Sequence, residues 1–155
     1  MKTILSAQFA RRAVLAVSLL ALPIGASAAE GDTILFNRLG GMPAVRLVVD
    51  RFVDKIFADT RVNKWFSAAV SDPERAAAYK ASLTTLVCQV TGGPCRYEGP
   101  DMATAHADRA ITSDAFDAVV EDLTAVLDEA KVPAREKRDL LAILGGLKSA
   151  IVEKK

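Results

Sequence analysis

Histidine is all but missing from this chain: His106 is the only one among 155 residues. A lone imidazole cannot join a second one in a metal cage, a proton relay or an acid–base pair. Cysteine is almost as scarce, with Cys88 and Cys95 alone, and two thiols plus one imidazole fall short of the four ligands of a structural zinc site. Neither sign of charge dominates, at 20 basic against 19 acidic residues, and no basic stripe occurs. That balance argues against a nucleic-acid partner, whose phosphates demand clustered Lys and Arg. No stretch alternates with period two for long enough to make a strand. Internal repeats and low-complexity linkers are lacking as well.

The one markedly apolar run lies at the start. Lys2, Arg11 and Arg12 precede Ala13 to Leu22, and Pro23, Gly25 and the small triplet Ala26-Ser27-Ala28 follow. This order predicts a secretory signal peptide over residues 1–28, with an apolar core too short to span a bilayer. Arg11-Arg12 is not followed by a clear twin-arginine context, so general secretion is the expected route. The mature chain is expected to start at Ala29 and to reside in the periplasm or outside the cell. The leader holds three of the basic residues and no acidic ones, so the remainder carries two more acids than bases. It is long enough for one domain, 29–155, and not for two. No second apolar run reaches membrane length.

The rest reads as helix. From Pro43 to Phe57, Val45, Val48, Val49, Phe52, Val53 and Ile56 recur at spacings of three and four, on one helical face. Pro43 suits a first turn. Asp59 to Asn63 breaks the pattern, and Trp65-Phe66 falls in a short connector. Ser71-Asp72-Pro73-Glu74 signals the start of a second helix, striped by Tyr79, Ser82, Leu83, Leu86 and Val90 and stopped by Gly92-Gly93-Pro94. A short helix is expected from Met102 to Ala107. Thr112-Ser113-Asp114 then caps a longer one from Ala115 to Ala130, with Phe116, Val119, Val120, Leu123 and Leu127 on one face. Pro133 opens a last helix that ends near Val152. The fold class is all-α, divided into blocks by the glycine pairs at 40–41 and 92–93.

His106 sits in a segment with its own grammar: Gly92-Gly93-Pro94, Tyr97, Gly99, Met102, Ala105-His106-Ala107, Ile111-Thr112. A single histidine suffices for one chemistry that needs only one protein nitrogen, axial ligation of a haem iron. Covalent attachment of a haem is excluded because no Cys-x-x-Cys-His occurs. The plain alternative is a packed or surface histidine beside apolar faces that are ordinary core.

The order Leu35-Phe36-Asn37-Arg38-Leu39-Gly40-Gly41, Phe52, Ala58-Asp59, Trp65-Phe66, Gly92-Gly93-Pro94, Tyr97, Gly99, Met102, Ala105-His106 and Ile111-Thr112 resembles the group I truncated haemoglobins over nearly the whole mature chain. The resemblance implies a shortened globin fold, two helix pairs in a two-over-two sandwich around a non-covalent haem b. His106 falls at the proximal ligand position, and Phe66 at the aromatic position packed on the porphyrin. The cofactor contacts implied are Phe52, Val53, Phe66, Tyr79, Lys80, Leu83, Leu86, Tyr97, Met102, His106, Ile111 and Phe116. With Nε2 on iron, Nδ1 would want an acceptor, most cheaply a backbone carbonyl one turn earlier.

On the distal side the chain departs from that family, which usually places a tyrosine after the phenylalanine of the first distal helix and a glutamine on the next. Val53 and Leu83 occupy the matching positions, and neither donates a hydrogen bond. Tyr79, one turn before Leu83, is the polar residue left. Its phenol could donate to a ligand, coordinate ferric iron as phenolate, or lie with its hydroxyl at the surface; Ser82 is a weaker candidate. Lys80 and Arg109 are candidates for pairing with haem propionates. Cys88 and Cys95 flank the Gly-Gly-Pro corner, and in an oxidising compartment a disulfide is expected, the alternative being two free thiols.

The function implied is reversible binding of oxygen or another diatomic gas, nitric oxide or carbon monoxide, at a His106-ligated iron. Alternatives are a nitric oxide dioxygenase or other haem redox enzyme supplied by an electron donor, and a globin-fold interaction module without haem. A distal acid–base histidine of the peroxidase kind is excluded, since the sole imidazole is already used.

Overall fold

Helical spacing of apolar residues becomes helix throughout the described part of the chain. The computed structural model describes residues 34–153, and no strand occurs among them. The expected signal peptide and its boundary at Ala29 lie outside the described residues.

A single turn, α1 (Leu35–Arg38), leads to Gly40, whose φ of 99° is left-handed and suits a residue without Cβ. The corner releases α2 (Gly41–Ala58) two residues before Pro43, which sits in the first turn where its missing N–H costs nothing. A 3-10 turn over Asn63–Phe66 and the short α3 (Ser67–Val70) form the connector expected around Trp65-Phe66. α4 (Pro73–Val90) starts at Asp72, whose carboxylate accepts from the amides of Glu74 and Arg75 at 2.9 and 3.2 Å. The brief α5 (Met102–His106) is capped by Asp101, which accepts from the Thr104 amide at 2.9 Å and from its hydroxyl at 2.8 Å. Thr112 caps α6 (Ser113–Glu129) by accepting from the Ala115 amide at 3.2 Å.

The last helix is not continuous. It divides into α7 (Ala134–Gly146) and α8 (Lys148–Ile151) around Leu147. Gly145-Gly146 explains the break, since glycine holds a helix poorly. The break lets α8 pack against α5, and the Glu153 amide donates to the Ile111 carbonyl at 3.0 Å. The C-terminus thereby straps the segment that follows His106.

α2 packs against both α4 and α6, and α6 in turn against α7. Two clusters result. One gathers Phe52, Ile56, Val62, Leu123, Val126, Leu127 and Leu140; the other holds Phe36, Val45, Val49, Val53 and Cys88. The stripe expected on α2 is buried, apart from Val48, which is half-buried. The stripe expected on α4 is not: Tyr79, Leu83 and Leu86 are half-buried, Ser82 is exposed and Val90 is 38 % exposed. The buried residues of α4 are Thr84 and Cys88, on a different side. Cys88 and Cys95 are joined by a disulfide. No helix among the described residues is long and apolar enough to cross a membrane.

Arg38 closes the ring of helices. Its Nε donates to Glu136 at 2.9 Å and its Nη2 to Asp139 at 2.5 Å, tying α1 to α7 with only 13 % of the Arg38 side chain exposed. Glu136 is held below the ordinary carboxylate pKa by its own backbone amide and then by Arg38, and Asp139 by Arg38. Carboxylates depressed in the folded state stabilise it above their unfolded pKa and lose that contribution as pH falls through the folded value. Arg38→Met is therefore expected to lower the thermal midpoint at neutral pH and to converge on wild type in acid. Midpoints measured from neutral pH down through the carboxylate range check this; a constant gap would assign the loss to packing.

Candidate functional site

The exposed-looking stripe of α4 has a reason to stay half-open, because it faces a cavity. The cavity measures about 610 Å³, within the ~300–1,000 Å³ typical of cofactor and ligand clefts. α2 supplies Phe52 and Ile56, the 3-10 turn Trp65 and Phe66, and α4 Tyr79, Ser82, Leu83 and Leu86. Tyr97 enters from the loop before α5, and Met102 and His106 from α5 itself. Ile111, Phe116 and Val119 add the α6 side, and Leu144, Leu147 and Ile151 the C-terminal helices. Nearly all of this lining is apolar.

His106 is oriented by its own helix. Its Nδ1 lies 2.7 Å from the carbonyl of Met102, one turn earlier, as the sequence leads one to expect. A carbonyl only accepts, so Nδ1 carries the proton and Nε2 presents a lone pair. The ring is half-buried and belongs to the cavity wall.

The turn after it is tight. Asp108 and Ala110 hold φ of 59° and 52°, a left-handed conformation unfavourable for a residue with a side chain. Trp65 supports this turn, its indole N–H donating to the Arg109 carbonyl at 2.8 Å. Arg109 itself lines the cavity; its Nε donates to the Ala105 carbonyl at 2.8 Å, and it makes no ion pair with a carboxylate among the described residues.

Tyr79 is the polar side chain α4 brings deepest into the site. Its ring is wedged beside Phe66 and Phe57, with centroids 5.6 and 6.1 Å away, at tilted angles suited to aromatic packing. The hydroxyl makes no hydrogen bond among the described residues. Burial pushes its pKa up to about 12; Tyr97 nearby adds to the rise and Arg109 opposes it. The surface orientation considered for Tyr79 is thus replaced by a cavity-facing one, and the group is a neutral phenol at ordinary pH.

Two expected contacts are not made. Val53 does not line the cavity: it is fully buried, at 0 % exposure, among Phe36, Val45, Val49 and Cys88. One position along a helix is a rotation of about 100°, so Phe52 and Val53 cannot both face the same space, and a valine is too short to reach round. Lys80 is also absent from the lining; its ammonium pairs with Asp54 on α2 at 2.6 Å. Every other expected contact, Phe52, Phe66, Tyr79, Leu83, Leu86, Tyr97, Met102, His106, Ile111 and Phe116, is on the cavity wall. Sequence reasoning missed Leu144, Leu147 and Ile151, although their spacing of three and four was the signal.

Residues 34–153 match the family model described as bacterial-like globin. The chain is 36 % identical over 115 residues to the group 1 truncated hemoglobin of Synechocystis sp., covering 72 % of this chain and 89 % of that protein. It is 32 % identical over 120 residues to the group 1 truncated hemoglobin of Chlamydomonas moewusii, covering 76 % and 67 %. Among solved structures it is similar to the ferric truncated hemoglobin of Tetrahymena pyriformis, with TM-score 0.69, 26 % identity and coverage of 77 % and 98 %. The cyanomet 2/2 hemoglobin of Synechococcus sp. PCC 7002, which carries covalently attached heme, gives 0.69 at 29 % identity over 77 % and 98 %.

The environment of Tyr79 makes a titration decisive. Tyr79→Phe is expected to remove from the phenolate absorbance titration a component near 12. Loss of a component at the ordinary tyrosine value instead would place the Tyr79 hydroxyl in water.

Proposed function

The chain belongs to the bacterial-like globin family, among relatives that are group 1 truncated hemoglobins, and from that premise we propose that it holds haem b in the cavity and reversibly binds oxygen or another diatomic gas, with His106 as the iron ligand. The observation that carries this is the imidazole: Nδ1 is committed to the Met102 carbonyl, which leaves Nε2 as the free nitrogen of a ring that lines an apolar cavity of cofactor size. Haem, when bound, supplies an iron that takes one protein nitrogen and leaves a coordination position for a gas.

The chain's own residues do the rest. The hydrogen bond from Nδ1 holds the ring's orientation and strengthens Nε2 as a donor. Phe66, Leu83, Leu86 and Phe116 keep the cavity dry, which protects a ferrous centre from water and protons. Arg109, with no carboxylate partner among the described residues, suits a haem propionate at the rim, where it orients more than it holds. Lys80 is taken by Asp54 and does not share this role.

Tyr79 is assigned as the hydrogen-bond donor to the gas ligand. Burial keeps its free side chain a neutral phenol, which can donate a hydrogen bond. Ser82 lines the same wall, while Val53 and Leu83 have nothing to donate. The leader-like residues 1–28 and the Cys88–Cys95 disulfide support export to an oxidising compartment.

Spectra of the purified mature protein test the assignment. The ferric, reduced and CO-bound forms are expected to show a Soret band that shifts at each step, and His106→Ala to lose or alter it. A protein that folds without taking up haem would leave only an interaction role for the fold. Replacing Tyr79 by Phe removes a hydrogen bond worth roughly 1.5–3 kcal/mol, so oxygen release should accelerate about ten- to a hundredfold; stopped-flow release at the wild-type rate would show that Tyr79 is not the donor.

A further inference from the structure

Between α4 and α5 runs a stretch that secondary structure does not hold. Gly92 and Gly93 still donate to α4 carbonyls, at 3.0 and 2.7 Å, and Asp101 already caps α5. Residues 94–100 make no backbone–backbone hydrogen bond among the described residues. Two ties secure them to the body of the domain. One is the Cys88–Cys95 disulfide, and the other is the Tyr97 amide, which donates to Gln89 Oε1 at 2.6 Å. Both anchors are on the last turns of α4, the helix that carries Tyr79, Leu83 and Leu86.

The stretch matters because Tyr97 lines the cavity. The ring folds back over Gly99 so closely that a Cβ there would stand 2.2 Å from the Tyr97 hydroxyl. The conformation of 95–99 and the position of the Tyr97 ring are therefore one unit, two residues from Cys95. The same stretch runs straight into α5 and His106. Cys88 is wholly buried beside Phe36, Val49 and Val53, while Cys95, packed against the same cluster, is half-buried and the more accessible residue of the pair.

We propose that the Cys88–Cys95 disulfide is a redox latch on the cavity wall: a dithiol reductant that opens it frees residues 94–100, lets Tyr97 leave the wall and weakens retention of the group the cavity holds. The reductant's thiolate attacks Cys95 Sγ and forms a mixed disulfide, and Cys88 departs as thiolate and takes a proton. The reductant's second thiol then displaces Cys95 as a thiol. Two electrons and two protons pass from the dithiol to the protein, and the reductant keeps the disulfide. Cys88 stays in its apolar pocket, so α4 itself is held by the same packing as before. What changes is the loop, which loses its covalent tie and keeps the exposed Tyr97–Gln89 hydrogen bond and the packing of Cys95 and Tyr97. The part of this inference that concerns retention rests on the haem reading above; the loosening of the loop does not.

The test uses the mature protein, oxidised or treated with a phosphine or dithiol reductant, alongside Cys95→Ser, which leaves the buried Cys88 in place. Amide hydrogen exchange over 95–99 and transfer of ferric haem to an excess of a scavenging apoglobin are followed in each. Reduction is expected to speed both by at least about fivefold, the lower end of ordinary site-to-site coupling. Cys95→Ser should match the reduced protein and ignore the reductant. Exchange unchanged on reduction overturns the latch. Faster exchange with unchanged haem transfer overturns its coupling to the cavity. A chain that takes up no haem fails the reading above, and exchange in the haem-free protein then decides the latch alone.

Discussion

α2 has to bury two faces at once, and the site depends on how it does so. Phe52 and Ile56 turn toward the cluster beside the cavity, while Val45, Val49 and Val53 turn toward the cluster that holds Phe36 and Cys88. Each such side chain, taken out of water, is worth about 1.5–3 kcal/mol, so rotating the helix to bring Val53 into the cavity would expose residues on both sides. The helix is therefore locked in rotation. α4 and α6 both pack on it, and the cavity is lined by α2, α4, α5, α6 and the C-terminal helices.

The other side of the site is built from short and irregular pieces. α5 has five residues, too few to be stable alone, and its His106 is held by contacts supplied from outside: the Trp65 indole on the Arg109 carbonyl, the Glu153 amide on the Ile111 carbonyl, and the packing of α8. Left-handed backbone at Asp108 and Ala110 stores strain that these contacts offset. Long helices on one side and a strapped short helix on the other give a cavity whose α2–α4 wall is set by core packing and whose α5 wall is set by hydrogen bonds.

Within that frame the polar chemistry is sparse. His106, Arg109, Trp65, the phenols Tyr79 and Tyr97 and the small hydroxyls of Ser82 and Thr104 are the polar side chains in a lining otherwise apolar. Tyr79 comes from α4, while the residue after Phe52 on α2 is a buried valine. Tyr79 shares its helix with Cys88 and Gln89, the anchors of the loop that carries Tyr97.

Periodicity and landmark residues were enough to read the all-helical class and most helix starts, and ten of the twelve residues that the resemblance implied at the cofactor lie on the cavity wall. These depend on local rules: spacing of three and four marks a buried face, and Asp72, Asp101 and Thr112 cap because their oxygens reach amides two or three residues on. The bond from Nδ1 to the Met102 carbonyl was legible for the same reason, since residues four apart on a helix are neighbours. What a neighbour in space decides was not legible. Val53 faces the second cluster because α1 and α4 pack there, Lys80 turns aside because Asp54 lies across from it, and Tyr79 is half-buried because Phe57 and Phe66 pack beside it. The C-terminal helix breaks at a glycine pair visible in the sequence, yet only its packing on α5 shows what the break is for. Local order in the chain determined which residues could reach the cavity, and the mutual rotation of packed helices, which no local pattern encodes, decided which of them do.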